Sequence, residues 1–419
     1  MTLSCFELGE RMLDVDETLG ALAAMTPPAV ACHRVPLSSA LGGVLAADVV
    51  SPIDVPQNTN AAMDGIALAW PEAPPTEVTV VGEVLAGTRF EARLAAGQAV
   101  RITTGAPLPD GADTVIMNEQ LATSAASRVR IEHPERVRRA QNVRRAGEDL
   151  ARGQLALAAG TRLRPQHLGL LASLGLAEVS LFRPVRVAVF STGNEVTAPG
   201  EALPAAGIYD TNRFSLRGLL ERLGCEVIDL GILRDDLETM RWALATAARD
   251  ADMVMTSGGV SVGQADWVKP ALEAIGELGL WRIAMRPGRP LAFGRIRREA
   301  GAPVPFFGLP GNPVAVMVTF LQFVQPMLRR MQGEHAWQPA RLTALAGESL
   351  KSREGRVDFH RGIYASDEAG RLWVNTTGRQ GSGILSSMVA ANCLIEISAE
   401  CATVDVGAPV TIQPFGDLT

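Results

Sequence analysis

The sequence predicts a multidomain protein of α/β plus β class, with a central α/β domain on a parallel sheet and smaller β-rich domains before and after it. Three stretches predict this. Between 185 and 330, strand-like runs at 185–190, 226–230 and 252–256 alternate with helical runs at 213–223 and 237–249, the rhythm of a parallel sheet covered by helices. From about 51 to 140, short apolar runs at 78–84, 100–103, 114–117 and 128–131 are separated by Gly and Pro, as in a small β domain. After about 331 the chain returns to short alternating runs, such as 371–374 and 393–397, ending in 410–412.

Composition bounds the reading. A chain of 419 residues is too long for one ordinary core. With 47% hydrophobic and 20% charged residues it can bury a sizeable interior, and its 41 glycines imply many tight turns. The 39 basic and 45 acidic residues give a formal charge of −6, which offers nucleic acid or an anionic membrane no general attraction. Any polyanion site is therefore local. The five cysteines are odd in number and scattered without a Cys-x-x-Cys pair, so neither a disulfide framework nor a structural zinc site is expected. Glu7, Glu10, Asp14, Asp16 and Glu17 stand where a secretory leader needs basic residues. The apolar segment near 314–328 is interrupted by Gln322, Gln325 and Pro326, too polar for a membrane span. A soluble, cytoplasmic protein is expected.

Along the chain, 14–25 reads as a helix, with Asp14 and Glu17 spaced like a capping box, ended by Pro27 and Pro28. The stretch 165–175 reads as a second helix, with Pro165 at its start and Gly175 at its end. In a parallel sheet, ligands lie beyond the carboxyl ends of the strands. There the sequence places Ser191-Thr-Gly-Asn-Glu195, Leu233-Arg-Asp-Asp236, Ser257-Gly-Gly-Val-Ser261 and Gly308-Leu-Pro-Gly-Asn-Pro313.

The run 251–269 carries the sharpest signal. A buried strand delivers Ser257, Gly258, Gly259 and Ser261 to a turn with a helix after it, which aims backbone N–H groups at one point and favours an anion. The loop has neither the Lys-Ser/Thr ending of a P-loop nor a dinucleotide fingerprint. Asp266 and Lys269 put a metal ligand and a cation beside it. Glu195, Asp235, Asp236 and Asp266 all follow strands of the sheet and can converge on a divalent cation, with Mg2+ suited to carboxylate and phosphate oxygens. The blander reading is that such acids cap helices, Asp235 or Asp236 serving the helix at Leu237 and Asp266 the one after it. Arg282, Arg286 and Arg289 fall within eight positions, held by prolines and a glycine; stiffly held guanidinium forks suit tetrahedral oxyanions, against the alternative of a basic surface loop. Taken alone, Asp64 and Thr104 are turn residues. The five histidines show no metal-ligand spacing, and no hydrolase template is present.

The strings Ala62-Met-Asp-Gly65, Thr104-Gly-Ala-Pro107, Gly111-Ala-Asp-Thr114, Ser191-Thr-Gly-x-Glu195, Ile208-Tyr-Asp-Thr-Asn212, Ser257-Gly-Gly-Val-Ser261 with Asp266, and Gly308-Leu-Pro-Gly-Asn-Pro313 occur in this order. Over nearly the whole chain the sequence resembles the MoeA family of molybdopterin molybdenumtransferases and the E domain of gephyrin. The resemblance implies a homodimer of four-domain subunits: a discontinuous N-terminal domain (1–50 and 141–180), an inserted β domain (51–140), a MogA-like α/β domain that binds molybdopterin (181–330) and a C-terminal β-barrel (331–419). It implies an enzyme that takes adenylylated molybdopterin and molybdate to molybdenum cofactor and AMP, with Mg2+ required. By motif, Glu195, Asp235 and Asp266 match acids at the Mg2+ and pyrophosphate site. Asp64 and Thr104 match functional positions in the inserted domain. Arg361 and Ser382, in Phe359-His-Arg-Gly362 and Gln380-Gly-Ser382, match residues near the molybdate site. Arg282, Arg286 and Arg289 stand where relatives typically carry lysines, turning point charges into forks. Asn194 replaces a common Asp, and Ala61 and Ile66 replace the usual Ser and Tyr around Asp64. Two other functions compete. A MogA-like adenylyltransferase typically reads Gly-Gly-Thr-Gly where this chain has Gly258-Gly-Val-Ser261. A non-catalytic scaffold, as in gephyrin, would have no use for the acids and Arg361. Transient contact with other molybdenum cofactor synthesis proteins is also expected.

Overall fold

The computed structural model describes residues 11–27, 29–125, 127–259 and 267–416. Ser261 and Asp266 lie outside these. The chain divides into two compact units, the first containing residues up to 33, 42–44 and everything from 181 on, the second 34–41 and 45–180.

The described chain opens with β1 (Met12–Leu13) and α1 (Val15–Met25). Asp14 caps α1 by accepting the Glu17 N–H at 2.6 Å, as the spacing requires. Val15, Leu19 and Leu22 share one face of the helix and bury it in the core of the first unit.

The second unit is built on β2 (Gly65–Leu68), β3 (Glu77–Val84), β4 (Gln98–Ile102), β5 (Thr114–Met117), β6 (Leu121–Ala125) and β7 (Arg128–Ile131). They form one sheet in the order β5-β2-β4-β3-β7-β6, antiparallel except for β3–β4. Successive side chains alternate faces, so Ala67, Val100 and Val115 pack in one cluster and Ile66, Leu68 and Ile116 in another. The helix α2 (Pro165–Ser173) starts on its proline and is followed by Gly175 at φ +73°, a left-handed position that a glycine takes without strain.

In the first unit, β8 (Arg186–Thr192), α3 (Asn212–Arg222), β9 (Glu226–Leu233), α4 (Leu237–Asp250), β10 (Met253–Ser257) and α5 (Val268–Ile275) alternate as expected. Then come β11 (Gly276–Ile283), β12 (Met285–Arg286), β13 (Pro290–Ile296), β14 (Val304–Leu309) and α6 (Pro313–Thr319). A π-turn at Phe320–Val324 leads from α6 into α7 (Gln325–Met331). Gln322 is buried at that turn and answered by Gln413, its Nε2 donating to Gln413 Oε1 at 2.7 Å.

The central sheet runs β1-β11-β13-β14-β10-β8-β9. It is parallel across β14-β10-β8-β9 but antiparallel through β11-β13-β14, so the sheet is mixed where the sequence predicted a parallel one. The cause is length: residues 284–289 join β11 to β13, and a parallel crossover takes a dozen residues or more. β8 is buried on both faces, Val187 and Val189 in one core and Ala188 and Phe190 in the other, the signature of a strand with helices on each side.

The chain ends in β15 (Leu342–Ala346), β16 (Val357–Ser366), β17 (Leu372–Thr376), α8 (Leu385–Ala390), β18 (Cys393–Ile397) and β19 (Pro409–Pro414). The ring β16-β17-β15-β19-β18 closes through the β16–β18 pair into a five-stranded barrel. β12 adds to its edge, Met285 opposite Val357 and Arg286 opposite Asp358. That pairing ties the arginine turn of the central sheet to the barrel within one unit.

Candidate functional site

The sheet order places β8 between β9 and β10, so the order in which strands are added reverses beside β8, the place where parallel sheets form a crevice at their carboxyl ends. Ser191 is opposite Ser257 in the β8–β10 register, and Thr192 opposite Leu233 in β8–β9. The motifs that follow these strands therefore share one edge of the sheet. Gly258 and Gly259 take consecutive left-handed conformations, φ +84° and +66°, which a side chain would strain. The Gly258 N–H is not free for an anion, as the sequence suggested: it donates to Leu309 O at 3.1 Å and ties the loop to β14. Ser257 is buried at the strand end. Lys269 is turned along α5, with Nζ 3.9 Å from Glu273, an i,i+4 pair on an exposed face.

The two neighbouring acids after β9 separate cleanly. Asp236 caps α4, accepting the Thr239 N–H at 2.8 Å, and that backbone hydrogen bond holds its carboxyl below the usual range. Asp235 leaves the helix alone and accepts a short hydrogen bond from the Thr192 hydroxyl. Thr192 is the residue the sequence reading left without a role. Its signal was position: the last residue of β8, one strand away from the acids. Glu195 is exposed and folds its carboxylate back over Gly193, where a Cβ would lie 2.7 Å from Oε2. Asp210 was also unassigned. It is buried, accepts the Ser191 hydroxyl at 2.9 Å and pairs with Arg213 at 2.8 Å, which fixes the start of α3. Asn212 beside it donates to Gly311 O at 2.8 Å, holding the 308–313 loop against the same edge.

Carboxylates at the ends of β8 and β9 are hard oxygen donors fit for a hard divalent cation. Among the described residues no group of three or more His, Cys, Asp or Glu gathers at one point. The chemistry that fits is an ion held by few protein carboxylates, keeping waters and sharing substrate phosphates.

The arginine cluster is the second half of the site. Arg282, Arg286 and Arg289 are exposed around the β11–β13 turn and have no ion-pair partner among the described residues. Arg361, on β16, is only 1% exposed. Its side chain is held by neutral oxygens alone: Nε donates to Ser387 Oγ at 3.0 Å and Nη2 to Gly381 O at 3.1 Å. Burial, and then the charge of Arg286, push its pKa down to about 10. A buried guanidinium next to a second one, with no ion-pair partner for either among the described residues, favours an anion beside it. Ser382 follows Gly381 directly, and its carbonyl accepts the Val314 N–H at 3.0 Å, so the 308–313 loop leads into α6 beside these groups. Of the three exposed arginines, Arg286 is the one whose charge acts on Arg361.

In the second unit Asp64 and Thr104 do meet. Asp64 accepts both the Thr104 N–H at 2.6 Å and its hydroxyl at 2.8 Å, and the first of these lowers the Asp64 pKa most. Both residues are exposed. Because the folded pKa lies below the unfolded one, the stabilisation is present above the unfolded value and is lost as pH falls through the folded value. Thermal unfolding of this unit between about pH 5 and 3 is therefore expected to shift more for the wild-type chain than for Asp64→Asn. Equal shifts would remove Asp64 as a source of acid sensitivity.

Known proteins share this architecture. The family described as MoeA N-terminal region (domain I and II) matches residues 13–175, the probable molybdopterin binding domain 188–330, and the MoeA C-terminal region (domain IV) 343–415. A Haemophilus influenzae protein named molybdopterin molybdenumtransferase is 42% identical over 409 residues, 97% of this chain and 100% of its own length. A Nostoc protein of the same name is 34% identical over 86% of this chain and 83% of its own. The crystal structure of a molybdopterin biosynthesis MoeA protein from Pyrococcus horikoshii matches with a TM-score of 0.82 and 30% identity, over 97% of this chain and 100% of that one.

Proposed function

The chain belongs to the molybdopterin molybdenumtransferase family, and on that premise we propose that it inserts molybdenum from molybdate into adenylylated molybdopterin and releases AMP. The observation that carries this reading is the 42% identity spread over 97% of the chain, which takes in the inserted β domain, the α/β domain and the barrel together. The adenylyltransferase and scaffold alternatives are not favoured by these relatives.

The charge-unbalanced pair Arg361 and Arg286 supports the molybdate end of the reaction. A tetrahedral dianion there receives forked N–H donors and cancels the repulsion between the two guanidinium groups. Ser382 directly follows Gly381, whose carbonyl accepts from Arg361, and Arg282 and Arg289 add long-range attraction for the same anion. At the sheet edge, Glu195 and Asp235 are the described residues that would hold Mg2+, with Asp266 as a third ligand outside the described residues. The bound ion would neutralise pyrophosphate charge and make AMP a better leaving group. Thr192 orients the Asp235 carboxylate, and Asp210 with Arg213 fixes the loop between β8 and α3. Ser257, Gly258, Gly259 and Lys269 form the substrate side of the crevice in this reading, Ser261 is a further candidate outside the described residues, and Asp64 with Thr104 is a further functional pair. We place the protein in the cytoplasm as a homodimer. No described helix is long and apolar enough to cross a membrane.

Purified chain given adenylylated molybdopterin is expected to release AMP when molybdate and Mg2+ are both present. Release that ignores molybdate would refute insertion, and release that survives chelation with EDTA would refute the Mg2+ site. Sedimentation at the mass of two chains checks the dimer.

A further inference from the structure

Arg361 is gripped at its backbone and its side chain by one segment of the chain. Gln380 holds the backbone at two points, Oε1 accepting the Arg361 N–H at 2.7 Å and Nε2 donating to the Arg361 carbonyl at 3.2 Å. The Thr377 N–H adds a bond to the same carbonyl at 3.0 Å. The guanidinium is then met by Gly381 O and by the hydroxyl of Ser387, a buried residue of α8. That hydroxyl has one proton, and it is committed to Ile384 O at 2.6 Å, so only lone pairs are left for Arg361 Nε at 3.0 Å. Ser387 can therefore only accept from this arginine.

None of these oxygens is charged. The usual answer to a buried guanidinium is a carboxylate, which orients it and cancels its charge at once. Asp358, which the β12–β16 register sets opposite Arg286, does not play that part. It stands an odd number of positions from Arg361, on the other face of β16, and accepts from Arg356 Nε at 3.0 Å. The grip fixes the fork without neutralising it, and the charge of Arg286 acts on the same place. Arg286 is exposed, and Arg361 behind it acts on an arriving anion through charge, which needs no contact.

We propose that Ser387 makes this site select an oxyanion by its charge, because it orients Arg361 as a carboxylate would and leaves both positive charges for a dianion. This rests on the molybdate end of the reading above. Ser387 is a positioning residue in it, and Gln380 is a second. Two unanswered charges favour a doubly charged anion over a singly charged one of the same shape, which size selection alone would not do.

Molybdate and perrhenate are tetrahedral tetraoxo anions of similar size, the first doubly and the second singly charged. In calorimetric titration of the full chain at fixed ionic strength, molybdate is expected to bind at least about tenfold more tightly than perrhenate. Ser387→Asn and Ser387→Asp differ in charge and hardly in shape. The Asn variant is expected to keep the preference, and the Asp variant to weaken molybdate about tenfold or more and erase the preference. A merely structural role for Ser387 would move both variants alike. Equal affinity of the wild-type chain for the two anions, no molybdate binding up to about 10 mM, a preference that survives Ser387→Asp, its loss in Ser387→Asn, or unchanged molybdate binding in Arg361→Met would each overturn the proposal. The wild-type and Asn measurements bury no new acid, so they decide even if Ser387→Asp fails to fold. AMP release is read separately: a chain that prefers molybdate but releases no AMP would sink the transferase reading and leave charge selection standing. Normal AMP release with equal affinities would sink charge selection alone.

Discussion

Arg361→Met is expected to abolish molybdate-dependent AMP release while leaving thermal stability unchanged or raised. The wild-type guanidinium is 1% exposed, and burial, then the charge of Arg286, push its pKa down to about 10. That displacement corresponds to an unfavourable charge in the folded state of about 3 kcal/mol. The penalty is full below the folded value of about 10 and fades as pH rises above it toward the higher unfolded value. Against it stand the hydrogen bonds to Ser387 Oγ and Gly381 O, each contributing about 1–3 kcal/mol. The two sides nearly cancel, and methionine fills most of the volume. Binding does not cancel: loss of charge-assisted contacts to an oxyanion costs about 3 kcal/mol or more, a hundredfold or greater fall in kcat/KM for molybdate. Thermal unfolding without oxyanion, paired with AMP release against molybdate concentration, separates the two effects. A large drop in Tm with molybdate use intact would mean that Arg361 is structural.

Much of this was legible in the sequence, and the exceptions have physical causes. The strands around β8, β9 and β10 announced themselves because strands buried on both faces are continuous apolar runs with turn residues after them. The antiparallel β11–β13 hairpin was hidden in the arginine segment, since Arg282, Arg286 and Arg289 interrupt the apolar alternation that marks a strand. The closure of the barrel was implied by resemblance alone: β16 pairs with β17, β18 and β12, and no local pattern encodes partners so far apart. The glycine loop and the acids stood out in the sequence by their place after strands. What sequence did not give was division of labour, because that depends on hydrogen bonds. The Gly258 N–H looked available and is spent on Leu309, and Thr192 looked inert and holds Asp235.

Asp235 and Asp236 turn that division into a contrast between adjacent residues. Both are acids in the same loop, and spacing alone let either one cap α4 or hold a cation. The structure gives the cap to Asp236, whose side chain takes the Thr239 N–H. Asp236→Ala is therefore expected to lower Tm by a few degrees through the lost cap and to leave AMP release within about twofold of wild type. Asp235→Asn keeps shape and can still accept the Thr192 hydroxyl, but it removes one negative charge from the edge where the proposed cation sits. It is expected to lower kcat for AMP release about a hundredfold with little change in Tm, and higher Mg2+ is expected to restore part of the rate. Thr192→Val tests the link between β8 and the acid: a smaller fall, about tenfold, comes from a carboxylate that keeps its charge but not its orientation. If Asp236→Ala were the variant that lost activity, or if Asp235→Asn unfolded the chain at normal rates of AMP release, the two acids would have to exchange roles. The proposed cation ligand at the end of β9 would then be Asp236.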